Sequence, residues 1–208
     1  MSEPAQPRTV GTRAVLLELG EAVAPGALAE AARERWGERL EDAVPGHCTL
    51  LLRFVDADTL GRERPALTEL AGAPPPAAAD DVGAEHEIEV VYDGDDLAAV
   101  ADELDVDADE VVALHTGAVY RVAFLGTAGF PYLLGGDERL ALPRRDEPRT
   151  RVPAQTVAVA AGYTGLYPRE QPGGWHLLGR TEFTVFDATR SPPATLAAGD
   201  RVRLRRGG

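Results

Sequence analysis

The sequence contains no lysine: all 21 basic residues among its 208 are arginine. That absence removes a set of chemistries. There can be no Schiff-base lysine, no lysine general base and no Walker-A loop, whose lysine reaches the β- and γ-phosphates. Cysteine is nearly missing too. Cys48 stands alone, so no internal disulfide can form, which fits a reducing compartment. One cysteine, with His47, His86 and His176 outside any ligand spacing, makes a zinc site a poor expectation. The aspartates from Asp95 to Asp109 are read as helix starts and exposed faces, because they lack the ligand pattern of a calcium loop. No metal is expected. Long apolar runs are lacking as well, since no stretch approaches the roughly 18 residues of a membrane helix. The opening MSEPAQPRTVGTR has no apolar run behind a basic start, so no export signal is expected. A soluble, cytoplasmic protein without membrane contact follows as the expectation.

Positive charge is scarce in the first half. Residues 1–112 hold 26 acids against 8 arginines, a balance of −18, and residues 113–208 hold 8 against 13, a balance of +5. The acidic half argues against nucleic acid, whose phosphates need a basic footprint. The basic part suits an anionic ligand, or it simply offsets the acidic part. The 44% hydrophobic content suffices for a core.

What is present is organised in two textures. Thr12–Leu19 reads as a strand, 27–36 as a helix, His47–Val55 as a second strand and 60–70 as another helix. GAPPPAAADDVGAE, residues 72–85, has no periodicity and reads as a linker. Beyond it, HEIEVVY predicts a strand with Ile88, Val90 and Tyr92 on one face. Two short helices follow, 96–104 and 107–115, the second opened by Asp107 with Glu110 three residues on. From Tyr120 onward, short apolar runs alternate with Gly and Pro, as in an all-β sandwich or barrel. RVRLRR at 201–206 predicts a terminal strand with a solvated basic face. The fold class expected is therefore an α+β N-terminal domain (1–71), a linker (72–85) and a mostly-β domain (86–208).

One stretch mixes rigid turns, open backbone and large aromatics: YTGLYPREQPGGWHLLGRT, Tyr163 to Thr181. Barrel architecture accounts for it if Pro168 and Pro172 flank a turn, Gly173 and Gly174 end it, and Trp175 caps a core. Presentation of backbone and aromatics to a ligand or partner accounts for it equally. Thr164, Gly165, Tyr167, Pro168 and Arg180 carry more of the functional reading than Gly173 and Gly174. His115 follows Val111 and Leu114 on one helical face, and is either a satisfied core histidine or an acid–base group. Phe130 and Tyr132 are barrel core or pocket wall. Arg144 and Arg145 are a solvated pair or part of a site. GTAGF (126–130) has too few glycines for a dinucleotide fingerprint.

VVYDGDDL (90–97), EVVALHTG (110–117), GFPYL (129–133), PRRDEPRTRVPA (143–154), TGLYP (164–168), PGGWHLLGRT (172–181) and PPATLAAGDRVRL (192–204) occur in this order. Together they resemble the family of the B-type subunit of 5-oxoprolinase, also called allophanate hydrolase subunit 1, to which a bacterial sporulation-kinase inhibitor belongs. The family's GFxPGFxYL is one residue shorter here and lacks its first proline. Its VPAGSV is Val152–Val157 (VPAQTV), and its N-terminal Gly-Asp-Arg-Ala is Gly11-Thr12-Arg13-Ala14.

The resemblance implies a cyclophilin-like β-barrel after the N-terminal domain. It implies ATP-dependent opening of 5-oxoproline to glutamate, performed with a second carboxyltransferase-like subunit of the C type and a third subunit of the A type. ATP would then be used at the level of the complex. Phosphorylating a lactam oxygen needs cations, backbone N–H groups and a dry pocket. Arg144, Arg145, Arg149, Arg151 and Arg180 are the candidate cations, because arginine's planar fork suits carboxylate and phosphate oxygens. His115, Arg149 and Arg180 are the catalytic candidates. Phe130, Tyr132, Arg144, Arg145, Thr164, Gly165, Tyr167, Pro168, Gly173, Gly174 and Trp175 are the substrate-binding ones. The competing class is a protein-binding regulator resembling the kinase inhibitor. Prolyl isomerisation rests on fold analogy alone, and no such activity is expected.

Overall fold

The computed structural model describes residues 7–19, 25–72 and 83–208. The chain divides into two compact units, residues 1–82 and 83–208. Most of the expected linker, 72–85, lies outside the described residues.

Among the described residues, the first unit is a four-stranded antiparallel sheet with two α-helices. Its strands are β1 (Arg8–Val10), β2 (Ala14–Glu18), β3 (Leu40–Pro45) and β4 (Thr49–Phe54), in the order β1-β2-β4-β3. Period-2 alternation puts Val15 and Leu17 of β2 opposite Leu52 and Leu50 of β4. These four side chains form one core with Leu28, Ala29, Ala32 and Trp36 of α1 (Pro25–Trp36) and Leu60, Leu67 and Leu70 of α2 (Ala57–Gly72). Asp56 opens α2 by accepting the Thr59 N–H at 2.6 Å. Sequence pattern alone does not give β1, which is three residues long, or β3, whose LEDAVP mixes acids and proline.

The second unit is built on seven strands in the order β12-β9-β10-β7-β6-β13-β5. These are β5 (Glu85–Val90), β6 (Val119–Leu125), β7 (Pro131–Leu134), β9 (Thr156–Ala160), β10 (Tyr163–Leu166), β12 (His176–Arg180) and β13 (Arg201–Arg206). A separate pair, β8 (Arg149–Val152) and β11 (Gln171–Gly173), stands beside them. All neighbours are antiparallel except β13 with β5. The sheet curls until its edges meet: Val91 and Arg180 exchange two backbone hydrogen bonds, 2.8 and 2.9 Å. That seam demands glycine. A Cβ on Gly179 would lie 2.2 Å from the Val91 carbonyl oxygen, and one on Gly94 2.3 Å from that of Leu177. The result is a barrel-like β domain filled by Ile88, Val90, Tyr120, Val122, Leu133, Val157, Leu166, Val202 and Leu204.

Outside this barrel, Arg201, Arg203 and Arg205 of β13 face Glu85, Glu87 and Glu89 of β5 in register. Two of the arginines form ion pairs, Arg201–Glu85 and Arg205–Glu87. The basic face expected of the terminal strand is therefore partly neutralised, and the charges also protect an edge strand from pairing with another chain.

Helices α3 (Leu97–Leu104) and α4 (Ala108–Thr116) form a short hairpin. Val100, Ala101, Val111 and Leu114 pack on Leu140, Leu142, Val159 and Leu178. Asp107 caps α4 by accepting the Glu110 N–H at 2.8 Å, as its spacing predicts. Among the described residues no helix is long and apolar enough to cross a membrane.

Candidate functional site

A cleft of about 370 Å³ opens on the second unit, lined by Thr127, Phe130, Tyr132, Arg144, Tyr167, Arg169, Gln171, Pro172, Gly173, Gly174 and Trp175. Its volume falls in the range of roughly 300–1,000 Å³ usual for small-molecule sites. Three separate segments converge there. The 126–130 turn closes on itself through Gly126 N–H to the Phe130 carbonyl at 2.7 Å, which delivers Thr127 and Phe130, and β7 directly after it delivers Tyr132. The segment before β8 delivers Arg144. Residues 167–175, around β11, deliver the rest.

The floor is aromatic. Phe130 meets Tyr167 and Trp175 edge-on at 5.1 and 5.3 Å, and Tyr132 meets Trp175 at 5.6 Å. Two glycines make that packing possible. A Cβ on Gly165 would lie 2.3 Å from the Phe130 ring, and one on Gly173 2.1 Å from the Tyr167 hydroxyl oxygen. Gly165 therefore backs the floor from β10. Gly174 carries no such constraint, its nearest neighbours standing at 3.6 Å.

None of the lining side chains is acidic, and two are arginines. Arg144 lies 6.0 Å from the Trp175 ring centroid, a cation–π placement. Burial pushes the Tyr167 phenol up to about 12, against the lowering influence of Arg144 and Arg149. At neutral pH it is a proton-bearing donor. The cleft can thus take a flat, partly apolar group against the rings, an anionic group at the arginines, and an acceptor oxygen at the phenol.

Seven of the expected residues line this cleft: Phe130, Tyr132, Arg144, Tyr167, Gly173, Gly174 and Trp175. The others lie elsewhere. His115 is fully buried, with Nδ1 2.8 Å from the Tyr92 hydroxyl and Nε2 2.9 Å from Thr164 Oγ1, and Tyr120 donates to its carbonyl. Burial holds its imidazole neutral, with the pKa down to about 3. The same contacts put Thr164 in the core. Pro168 is half-buried and outside the lining. Arg180 is exposed, pairs with Asp93 at 2.7 Å and lends its backbone to the barrel seam. Arg151 pairs with Glu170 through two bonds, 3.0 and 2.8 Å. Arg145 and Arg149 both bond Asp96 Oδ1 at 2.8 Å.

Asp96 itself corrects the expectation of an exposed helix-start aspartate. It is 3% exposed, and its Oδ2 accepts the Leu177 N–H at 2.8 Å. Burial alone would raise its pKa. The hydrogen bonds from Arg149 and Leu177 and the charges of Arg149 and Arg145 outweigh that and hold the carboxyl below its ordinary range. Thr127, Arg169, Gln171 and Pro172 complete the cleft, and sequence pattern does not single them out as site residues. The last three lie inside the Tyr163–Thr181 stretch, so the only local signal for them is their neighbours. Among the described residues no three His, Cys, Asp or Glu side chains converge as metal ligands.

A family profile describing the carboxyltransferase domain, subdomain C and D, matches residues 5–196. The B-type subunit of 5-oxoprolinase from Escherichia coli O157:H7 is 47% identical over 122 residues, 57% of this chain and 56% of that protein. Its counterpart from Bacillus subtilis (strain 168) is 43% identical over 124 residues, 58% of this chain and 52% of that protein. The chain thus spans about half the length of the curated relatives it matches. Among solved structures, TTHA0988 superposes with a TM-score of 0.79 at 41% identity, over 94% of this chain and 40% of that one. The urea amidolyase of Kluyveromyces lactis superposes at 0.70 over all of this chain and 15% of that one. At 17% identity it speaks to the fold alone.

Proposed function

The chain belongs to the carboxyltransferase-domain family, subdomain C and D, and from that premise we propose that it is the B-type subunit of an ATP-dependent 5-oxoprolinase. The reaction is 5-oxo-L-proline + ATP + water to L-glutamate + ADP + phosphate. The chain acts with a second carboxyltransferase-like subunit of the C type and a third subunit of the A type, in the cytoplasm. The observation that carries the reading is the pairing of Arg144 with an aromatic floor in one cleft without acids. 5-Oxoproline is a small flat ring with one carboxylate and one amide carbonyl, and each part finds a complementary group there.

The chemistry assigns work to this chain's own residues. The lactam carbon is a poor electrophile because amide resonance stabilises it, and ATP supplies the activation by phosphorylating the amide oxygen. Arg144 takes the substrate carboxylate with its planar fork. Phe130, Tyr132 and Trp175 hold the ring and exclude water from one side. Tyr167, neutral and facing the cleft, donates to the oxygen on which charge develops. Arg169 adds positive potential at the mouth.

We place ATP with the assembled complex. The chain offers no lysine for a phosphate loop.

The test is reconstitution. The chain, co-expressed with candidate C-type and A-type subunits, is expected to release ADP in proportion to added 5-oxoproline, with glutamate formed in equal amount. Omission of the chain should abolish turnover. A full reconstituted set that releases no ADP on 5-oxoproline, while the chain instead captures a histidine kinase, overturns the reading in favour of a protein-binding regulator.

A further inference from the structure

Arg144 and Arg145 are adjacent in sequence, yet Arg144 lines the cleft over Trp175 while Arg145 reaches Asp96. The segment that carries them, residues 141–148, has no strand or helix of its own, so contacts to other segments fix its path, beginning with the Ala161 N–H to the Leu142 carbonyl at 2.6 Å. Four more contacts hold the part with the arginines. The Arg145 N–H bonds the Gly174 carbonyl at 2.8 Å, and His176 Nε2 donates to the Pro143 carbonyl at 2.9 Å. Arg145 Nη1 and, from the start of β8, Arg149 Nη2 both bond Asp96 Oδ1 at 2.8 Å. Asp96 is in turn fixed to β12, accepting the Leu177 N–H and donating its own N–H to the Leu177 carbonyl at 3.1 Å.

The anchor is therefore a buried carboxylate tied to the barrel wall, and the arginine loop hangs from it. With Arg145 drawn inward, its neighbour is left to face the aromatic floor. Arg149 is taken up by the same carboxylate, so one cationic head from this loop, that of Arg144, reaches the cleft lining.

We propose that Asp96 is a positioning residue. By holding Arg145, with Arg149 beside it, on one buried carboxylate, it turns Arg144 toward the anionic group of the ligand. This rests on the reading of the cleft as a 5-oxoproline site. Asp96 touches no ligand itself and acts through Arg145.

The test uses the full chain in a Trp36→Phe background, so that Trp175 is the only tryptophan. Its emission reports titrations with 5-oxo-L-proline and with the uncharged lactam 2-pyrrolidinone. Asp96→Asn is expected to weaken 5-oxoproline about tenfold or more, as Arg144→Met does, because a charge-assisted contact is lost. Affinity for 2-pyrrolidinone should stay within about twofold, since that ligand has no carboxylate for Arg144. In the double variant the loss should be no greater than in Arg144→Met alone, the sign that both act through one contact. Arg145→Met cuts the same link while leaving Asp96 its bonds from Arg149 and Leu177. It should show the same selective loss, and it stands in for Asp96→Asn if that variant does not fold.

Equal weakening of both lactams, additive losses, or unchanged 5-oxoproline affinity would overturn the proposal. If the parent chain responds to neither lactam, the reading of the cleft is what fails. The positioning role is then decided without ligand: Asp96→Asn must change Trp175 emission as Arg144→Met does, and unchanged emission refutes it.

Discussion

Gly173 lies so close to Tyr167 that a Cβ on it would stand 2.1 Å from the phenol oxygen. The aromatic floor and the β11 lip of the cleft are thus one packed unit, and the glycine is its point of contact. Gly173→Ala must displace either the Tyr167 ring or the lip. Overpacking of this kind costs about 1–3 kcal/mol. The variant should lose most of its 5-oxoproline affinity and melt several degrees lower. Gly174→Ala, one residue on, meets nothing nearer than 3.6 Å and should bind and melt like the parent. Paired thermal melts and Trp175 titrations check both; equal behaviour of the two variants would contradict the packing argument.

The barrel seam makes a second prediction. A Cβ on Gly179 would lie 2.2 Å from the Val91 carbonyl oxygen, a backbone atom that cannot swing aside as a flexible side chain can. Gly179→Ala should part Val91 from Arg180 and destabilise the unit by about 1–3 kcal/mol or more. Hydrogen exchange reads this directly: the Val91 and Arg180 amides, which bond each other's carbonyls, should exchange much faster in the variant. Amides of β6 and β7, farther along the sheet order, should change less.

His115 gives a pH dependence whose sign is fixed by burial. Its folded pKa is lowered from 6.5 to about 3, so the unfolded chain takes up a proton that the folded chain refuses. Stability from this group is fully present above pH 6.5 and is lost as pH falls below it, by up to about 1.4 kcal/mol per pH unit. The loss should be visible between pH 6.5 and 5, before most carboxylates titrate. His115→Gln, less stable at neutral pH because it disturbs the bonds to Tyr92 and Thr164, should show a flatter profile over that window. Chemical denaturation at several pH values provides the comparison, and parallel profiles would show that His115 is not the source.

What is legible in the sequence divides by range. The α4 cap is local, and Asp107 with Glu110 three residues later announces it. Strands β5, β6, β9, β12 and β13 are legible because a short apolar run or alternation is local too, whereas β10 lies in a stretch that reads as turn. The role of Asp96 is not: its arginine partners are 49 and 53 residues away and its Leu177 partner 81, and an aspartate before a helix has an adequate local explanation as a cap. The arginines show the same limit. Five are equivalent as cations in the sequence, and only tertiary contacts separate Arg144 in the cleft from those engaged by Asp96, Glu170 and Asp93. β11 is hidden because Gln171–Gly173 contains a proline and a glycine, which read as turn. His115 leaves both readings open in the sequence, and its helix face points to the core one.

The separation of the arginines is itself testable. Arg144 and Arg180 both carry a guanidinium in motifs that resemble the same family, yet they sit in different surroundings. Arg144 is exposed, but it lines the cleft over the Trp175 ring, so a carboxylate bound to it would be shielded from water on one side. Arg180 is exposed and already paired with Asp93, and exposed pairs contribute little and are screened by salt. Arg144→Gln should therefore weaken 5-oxoproline by about ten- to a hundredfold, since a hydrogen bond to a charged group is at stake, with little change in melting temperature. Arg180→Gln should leave affinity within about twofold, because its structural contribution lies in the backbone bonds to Val91. Titration of both variants at low and at physiological salt decides between them. A large loss on Arg180→Gln, or none on Arg144→Gln, would move the anion site away from the aromatic cleft.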